Sequence, residues 1–285
     1  LRPLDRPVKN RSFNPVEVRP PRHFPHLDSS SDPPRILKLG ASFPPCLCVF
    51  VVHSSSPSPR VRLVSSFTDL ATTPFADGVN ALCWSRTLPG DFGEVVSRLP
   101  AGETEGILTL DEARLLALPL SPAGRIAVDA MLADLARLRD RDLDPVLNCI
   151  HGYPRDENPG PLSTDVFSFH ADSATVPADT WLCTYHGAPS EGLANEHARR
   201  RIDIPETRAA LLAEYGGAND DGFRDFLHEH CYDLHYAPTP DARPYSFGLF
   251  NLWRIAVDHP GSPVPPCVHR APATIPGEPR LLLIS

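Results

Sequence analysis

The sequence lacks the run of about 18–20 apolar residues that a membrane-spanning helix needs, and its longest short candidate, residues 46–52, has only seven. It also lacks the order of charged, apolar and small residues that marks a secretory signal. None of its seven cysteines forms a CxxC pair. An odd number of scattered cysteines is typical of free thiols in a reducing compartment. These absences predict a cytoplasmic protein with no membrane partner.

Positive charge is scarce in most of the chain, whose formal net charge is −8. Residues 1–60 hold nine Lys and Arg against four Asp and Glu, so the remaining residues hold 18 against 31. Binding to a phosphate backbone needs a basic face. The acidic body therefore predicts no nucleic-acid partner.

Residues 1–60 differ in composition from the rest of the chain. They contain 12 of the 34 prolines and the only two lysines, Lys9 and Lys38. Two interpretations follow: a disordered, Pro-rich tail, or a stretch upstream of the natural start. Both place a single domain at 66–285.

Within 66–285 the patterns change from helical to extended. Helical signals fall within 90–141, and the clearest helix is predicted at 121–141, where Ser121 can cap it and Pro122 suits its first turn. Helices followed by many short strands predict an α+β domain around a sandwich or barrel. A helical insertion is predicted at 188–230. The predicted strands are 146–150, 166–171, 180–186, 232–237, 246–257, 265–269 and 280–284.

The residues with the clearest chemistry are His170 and Asp172, at the end of the strand predicted at 166–171. Residues i and i+2 of a strand point to the same face, so one metal ion can meet both side chains. His269, near the end of a later predicted strand, is the candidate third ligand. Two imidazoles and one carboxylate form the facial triad of non-haem Fe(II) oxygenases, which leaves three positions open.

This arrangement resembles the jelly-roll dioxygenases that use Fe(II) and 2-oxoglutarate. In that family an HxD pair is followed by a distal His and, about ten residues later, by an Arg or Lys on the last strand. Here the pattern falls on His170, Asp172, His269 and Arg280. The resemblance implies a double-stranded β-helix (cupin-like) core and a salt bridge from Arg280 to the distal carboxylate of the small-molecule cosubstrate.

A second resemblance covers roughly residues 70–285. It is a resemblance to a bacterial family known only as a domain of unknown function. The segments that are similar are 169–172, 182–187, 251–254, 268–272 and the closing run at 280–283. Members of that family are suspected of a link to zinc homeostasis. The resemblance supports the domain limits and the His-Asp-His set but implies no activity.

Other residues offer weaker signals. His186, Tyr185 and Arg254 are candidates for a substrate pocket, although Tyr185 also fits a core position. The cluster of His228, His230, Cys231 and His235 contains good zinc ligands, but a solvated helix end explains it better. Cys183 lies near His186, yet a thiol inside an apolar strand is normally inert.

Three functions remain open. The favoured one is an Fe(II)/2-oxoglutarate-dependent oxygenase of unknown substrate. The second is a non-catalytic zinc-binding or zinc-homeostasis protein on the same scaffold, in which His186 or Cys267 would close the site as a fourth ligand. The third is an interaction domain without a metal.

Overall fold

The computed structural model describes residues 58–100, 106–155 and 160–285. These residues form an α+β fold with two β-sheets. The tail predicted at 1–60 lies almost wholly outside the described residues. The predicted domain start at residue 66 is wrong, because Val61–Val64 already pairs in parallel with Ala81–Trp84 in the larger sheet.

Thirteen strands and six α-helices make up the described fold. The strands are β1 Val61–Val64, β2 Ala81–Trp84, β3 Ile107–Leu110, β4 Val146–Ile150, β5 Phe169–His170, β6 Asp179–His186, β7 Glu191–Leu193, β8 Ala198–Arg200, β9 His235–Pro238, β10 Tyr245–Ser246, β11 Leu252–Ala256, β12 Val268–Arg270 and β13 Arg280–Ile284. The helices are α1 Phe67–Thr72, α2 Phe92–Ser97, α3 Glu112–Ala117, α4 Pro122–Arg139, α5 Pro205–Tyr215 and α6 Asp221–Glu229. None of these helices is long and apolar enough to span a membrane.

The larger sheet has the strand order β1-β2-β11-β6-β13-β4-β3, and the smaller sheet has β10-β7-β12-β5-β9-β8. Along the chain β4, β6, β11 and β13 enter the larger sheet, whereas β5, β7, β10 and β12 enter the smaller one. All pairings among these eight strands are antiparallel. The chain therefore passes repeatedly from one sheet to the other.

Alternation along β6 sends its side chains to two different cores. Leu182 packs in the cluster that includes Phe247 and Cys267, which approach from the smaller-sheet side. Trp181 and Tyr185 point the other way and pack with the helices. Thr180 and Thr184 share the Leu182 face of the strand, which matters for the site described below.

Helix α4 forms as its sequence predicts. The Ser121 hydroxyl accepts a hydrogen bond from the backbone N–H of Gly124, and Pro122 occupies the first turn. Met131, Leu135 and Leu138 are buried on one face, as helical spacing requires. The same helix carries the fully buried Asp134, which pairs with Arg86 and Arg137 and accepts a hydrogen bond from the hydroxyl of Tyr185.

Two local predictions need correction. Within the range 90–141, where only helical signals were predicted, Ile107–Leu110 forms strand β3, and helix α3 begins after it at Glu112 with Asp111 as its cap. The predicted insertion at 188–230 is too wide. Its helices are present as α5 and α6, but β7 and β8 within the same range belong to the smaller sheet.

Candidate metal centre

The three predicted ligands meet between the two sheets. His170 ends β5 and His269 lies in β12, where the two residues oppose each other in an antiparallel pair. Opposed residues on neighbouring strands point to the same face. Asp172 follows two residues after His170, and its Oδ2 accepts a hydrogen bond of 2.6 Å from the hydroxyl of Thr180 on β6. That contact ties the carboxylate to the larger sheet.

The ligand atoms of these residues converge closely. The ring centroids of His170 and His269 are 4.6 Å apart. The distance from His170 Nε2 to Asp172 Oδ1 is 3.9 Å, and that from His269 Nε2 to Asp172 Oδ2 is 3.7 Å. One ligand atom from each residue lies within 4.8 Å of the other two, and among the described residues no other group of three does so.

Backbone carbonyls fix the tautomer of both imidazoles. Nδ1 of His170 is 2.8 Å from the carbonyl oxygen of Ser168, and Nδ1 of His269 is 3.3 Å from that of Cys267. A carbonyl oxygen only accepts, so each neutral ring carries its proton on Nδ1 and leaves a lone pair on Nε2. Metal-binding histidines are oriented in this same way by their second nitrogen.

The charge of the group suits a divalent cation. Burial, followed by the neighbouring His269, lowers the pKa of His170 to about 4. Burial alone would raise the pKa of Asp172, but His269, His170 and the Thr180 hydroxyl lower it. At neutral pH the lone pair of His170 therefore faces the negatively charged carboxylate of Asp172, an arrangement that a cation between them relieves. The donor set fits a metal ion.

The site is open on one side. The Asp172 side chain is 33% exposed, whereas those of His170 and His269 are 15% and 11% exposed. Three protein ligands with open positions are typical of catalytic metal sites, whereas structural zinc sites are closed by four. The predicted fourth ligands, His186 and Cys267, do not belong to the group.

Arg280 lies at the start of β13, two residues from Leu282 and on the same face of the larger sheet. Its guanidinium donates hydrogen bonds to the hydroxyls of Tyr153, Thr184 and Ser190, at 3.0, 3.3 and 3.0 Å. The side chain is buried, Nε has no partner, and no carboxylate of the described residues pairs with it. Burial lowers the pKa of Arg280. Thr184 stands four residues from Thr180 on the same face of β6, so one strand contacts both the Asp172 carboxylate and this guanidinium.

The space next to the guanidinium is small. A cavity of about 20 Å³ touches Arg280, Tyr153 and the loop at 272–278, which is room for about one water molecule. On the other side of this loop lies an open groove of about 950 Å³, and Thr274 and Glu278 line both spaces. The loop therefore forms the wall between the buried guanidinium and the groove.

His186 lines this groove and not the space between the sheets. Strand β6 has a bulge at its end, where Leu281 pairs with His186 and Leu282 with Thr184. Two residues of β6 thus oppose one of β13, which turns His186 to the helix-covered side. A Cβ at Gly93 in α2 would lie 3.4 Å from the His186 ring.

The other two pocket candidates lie away from the metal ligands. Tyr185 is buried on the helix-covered face of β6, where its hydroxyl donates to Asp134 at 2.7 Å. Arg254 forms an ion pair with Asp179 at 2.6 Å and donates to the carbonyl oxygens of Leu70, Ala71 and Thr73 at the end of α1. These contacts give both side chains a structural role.

The other cysteine and histidine candidates form neither a reactive thiol nor a second metal site among the described residues. Burial raises the pKa of Cys183 to about 12, so its thiol stays protonated and unreactive. His228 lies 3.2 Å from the Asp233 carboxylate, and Nδ1 of His230 bonds to the carbonyl oxygen of Phe226. No group of three ligands forms around Cys231.

Sequence reasoning grouped His235 with His228, His230 and Cys231 and did not predict that it lies beside His170. His235 opposes His170 across the pair β5–β9, and the ring centroids are 5.7 Å apart. The residue is buried, and its Nδ1 has no hydrogen-bond partner. A buried polar atom without a partner costs about 1–3 kcal/mol. The sequence contained one signal, a His inside the strand predicted at 232–237, but not the register that brings it to His170.

Comparison of the chain with protein-family models, with curated proteins and with solved structures gives no match. The interpretation of the site therefore depends on its own geometry and chemistry.

Proposed function

We propose that this chain is an Fe(II)- and 2-oxoglutarate-dependent oxygenase with a jelly-roll core. His170, Asp172 and His269 would hold the metal ion, and Arg280 would bind the distal carboxylate of 2-oxoglutarate. The observation that carries the proposal is the buried guanidinium of Arg280, which has no carboxylate partner among the described residues and is bonded to Thr184, on the same face of β6 from which Thr180 is bonded to the metal ligand Asp172.

The strand order supports a jelly-roll core. The four strands β11-β6-β13-β4 and the four strands β10-β7-β12-β5 lie side by side in two sheets, and the chain alternates between the sheets. Two packed antiparallel sheets of four strands each are the basis of a jelly roll. In this arrangement β5 and β12 are neighbours, which accounts for the approach of His170 to His269 over a long stretch of chain.

The guanidinium of Arg280 is well suited to a carboxylate ligand. It is always charged and can form two parallel hydrogen bonds with a carboxylate. The hydroxyls of Tyr153, Thr184 and Ser190 hold its two terminal nitrogens without neutralising the charge. An anion that enters the cavity would supply the missing negative charge, and hydroxyl groups nearby can donate to it.

The protein groups have separate tasks in this proposal. Bound Fe(II), with 2-oxoglutarate and O₂, supplies the oxidising chemistry that side chains lack. The Ser168 and Cys267 carbonyls fix the rings of His170 and His269, and Thr180 fixes the Asp172 carboxylate. The apolar residues between the sheets exclude water from the space behind the ligands. Because the cavity at Arg280 holds about one water molecule, the loop at 272–278 must move when the acid binds.

The cellular compartment and the binding partner can be inferred on the same basis. The five cysteines of the described residues are all free, and four are buried, which is typical of a reducing compartment. We infer a cytoplasmic enzyme that binds a small-molecule cosubstrate.

A second candidate function is zinc binding without catalysis on the same scaffold. The specific observation in its favour is His235, a buried third imidazole beside His170 with a free Nδ1. Three imidazoles and one carboxylate can close a tetrahedral zinc site.

An anaerobic titration of the full chain distinguishes the two functions. Fe(II) is added to the metal-free protein, then 2-oxoglutarate, and the weak visible charge-transfer band of the chelate is followed. The oxygenase proposal predicts a band that vanishes in His269→Ala and weakens in Arg280→Ala. Tight zinc binding that requires His170 and His269, with no band after Fe(II) and 2-oxoglutarate, would overturn it in favour of zinc binding.

A further inference from the structure

Three histidines form a row across the smaller sheet. His235 opposes His170 across β5–β9, just as His269 opposes it across β5–β12. Residues directly opposite one another on neighbouring strands point to the same face. All three imidazoles therefore lie on the face where Asp172 and Thr180 meet.

His235 is buried, but its hydrogen bonding is incomplete. The residue is 4% exposed, and its Nδ1 has no partner. His170 cannot satisfy this atom, because the Nδ1 of His170 is bonded to the carbonyl of Ser168 and its Nε2 faces Asp172. An apolar ring of the same shape would leave no polar atom unpaired at this position. The free nitrogen of His235 therefore indicates a ligand that is not part of the polypeptide.

The spacing of the rings is close to that of shared coordination. Two imidazoles bound to one ion at about 2.0–2.1 Å from each nitrogen have ring centroids about 4.5–5.5 Å apart. The His170–His269 pair, at 4.6 Å, lies within this range, and the His170–His235 pair, at 5.7 Å, lies just beyond it. His235 does not belong to the group of His170, Asp172 and His269 whose ligand atoms lie within 4.8 Å of one another, so its ring must turn toward Asp172 before it can bind the same ion.

We propose that His235 is a fourth protein ligand of this centre and sets its metal preference. This inference rests on the proposed metal site. Zinc favours four protein ligands in a tetrahedral set, so His235 would move in and close the site around Zn(II). Fe(II) and Mn(II) accept more ligands and more oxygen donors, so they would use only His170, Asp172 and His269 and keep the open side.

The test compares Zn(II) and Mn(II) affinities of the full chain, measured by competition with a chelator, in wild type and in His235→Phe. The matched control is Tyr236→Phe, the next residue on β9, which opposes Phe169 and packs on the other face. We expect Zn(II) affinity to fall about 10–100-fold in His235→Phe and Mn(II) affinity to change less than about threefold. Tyr236→Phe should change neither.

The visible spectrum of bound Co(II) reports coordination independently of activity. Wild type should give the intense absorption of a four-coordinate ion, and His235→Phe should give the weak absorption of a higher coordination number. An unchanged Co(II) spectrum, or equal losses for Zn(II) and Mn(II), would overturn the proposal. If His235→Phe fails to fold, His235→Gln keeps a polar side chain, and the same expectations apply to it.

The failure of this inference is distinguishable from the failure of the proposed metal site. If wild type binds both ions, His269→Ala binds neither and His235→Phe behaves as wild type, the three-ligand site stands and the role of His235 is wrong. If wild type binds neither ion, both are wrong.

Discussion

His170 and His269 oppose each other on neighbouring antiparallel strands, with ring centroids 4.6 Å apart and both Nδ1 atoms directed at backbone carbonyls. The backbone thus turns both Nε2 lone pairs toward the Asp172 carboxylate before any metal binds. These ligands are held in place and repel one another when no cation is bound. The protein should therefore bind a divalent cation tightly, and the bound cation should stabilise the folded state.

The first prediction concerns thermal stability. An ion that binds only the folded state stabilises it by about 2.7 kcal/mol at a free concentration of 100 times the dissociation constant. For a domain of this size that raises the melting temperature by about 5–10 °C. Differential scanning fluorimetry with Zn(II) or Co(II) should show this shift in wild type and in the exposed control His228→Ala. A shift of equal size in His269→Ala would contradict the account.

The second prediction concerns Arg280. Replacement by Lys keeps the positive charge but removes the planar fork that binds a carboxylate with two hydrogen bonds. Isothermal titration of the metal-loaded protein should show 2-oxoglutarate binding weakened about 10–100-fold, since a charge-assisted hydrogen bond contributes about 1.5–3 kcal/mol. Metal affinity should stay the same. The control is Arg270→Lys, whose side chain pairs with Glu191; an equal loss there would count against the assignment of Arg280.

The third prediction concerns the loop at 272–278. Because this loop encloses the small cavity at Arg280, entry of a dicarboxylic acid requires it to open. Hydrogen–deuterium exchange of its amides should therefore change when 2-oxoglutarate is added to the metal-loaded protein, and the change should be absent in Arg280→Lys. Identical exchange with and without bound acid would show that the acid reaches another site.

The fourth prediction concerns pH. Burial, then the neighbouring His170 and Arg201, lowers the pKa of His235 to about 4, against an ordinary value of 6.5. Between pH 4 and 6.5 the unfolded chain binds more protons at this residue than the folded chain does. Its contribution to stability is therefore complete above pH 6.5 and is lost as pH falls toward 4.

Urea unfolding of the metal-free protein checks the sign. Between pH 7 and pH 4, wild type should lose up to about 3 kcal/mol more of its free energy of unfolding than His235→Phe does. A difference between the two proteins that does not vary with pH would contradict the assignment of a neutral, buried His235.

The fifth prediction concerns Asp134, which is fully buried between Arg86, Arg137 and Tyr185. Asp134→Ala leaves the largely buried Arg86 without its partner. Breaking a buried pair in this way costs about 3–5 kcal/mol, measured by chemical denaturation. Asp129→Ala, at an exposed position of the same helix, should change stability by less than about 0.5 kcal/mol.

Local patterns were sufficient to predict some of these features. Helix α4 has a cap, a first-turn proline and apolar residues at helical spacing, so its bounds were nearly right. The pairing of His170 with Asp172 follows from the alternation of a strand. His269 was predicted as a ligand from its position about ten residues before Arg280, as in the family pattern. That pattern depends on the order of the strands, which composition does not reveal.

The remaining features depend on how distant strands align. The register of β5 against β9 brings His235 to His170, and no local pattern encodes it. A single bulge in β6 turns His186 away from the inter-sheet space, so alternation alone gives the wrong face. The hydroxyls around Arg280 come from three separate segments. Strand β1 was missed because it is only four residues long and half of them are exposed.

The most direct test of the central claim is anomalous diffraction from crystals of the full chain grown with Co(II) or Zn(II). The account predicts one strong peak per chain within about 2.0–2.2 Å of His170 Nε2, His269 Nε2 and an Asp172 oxygen. It also predicts that the peak disappears in His269→Ala. A strong peak elsewhere with none at this position, or a peak that persists in the variant, would contradict the claim that these three residues form a metal centre.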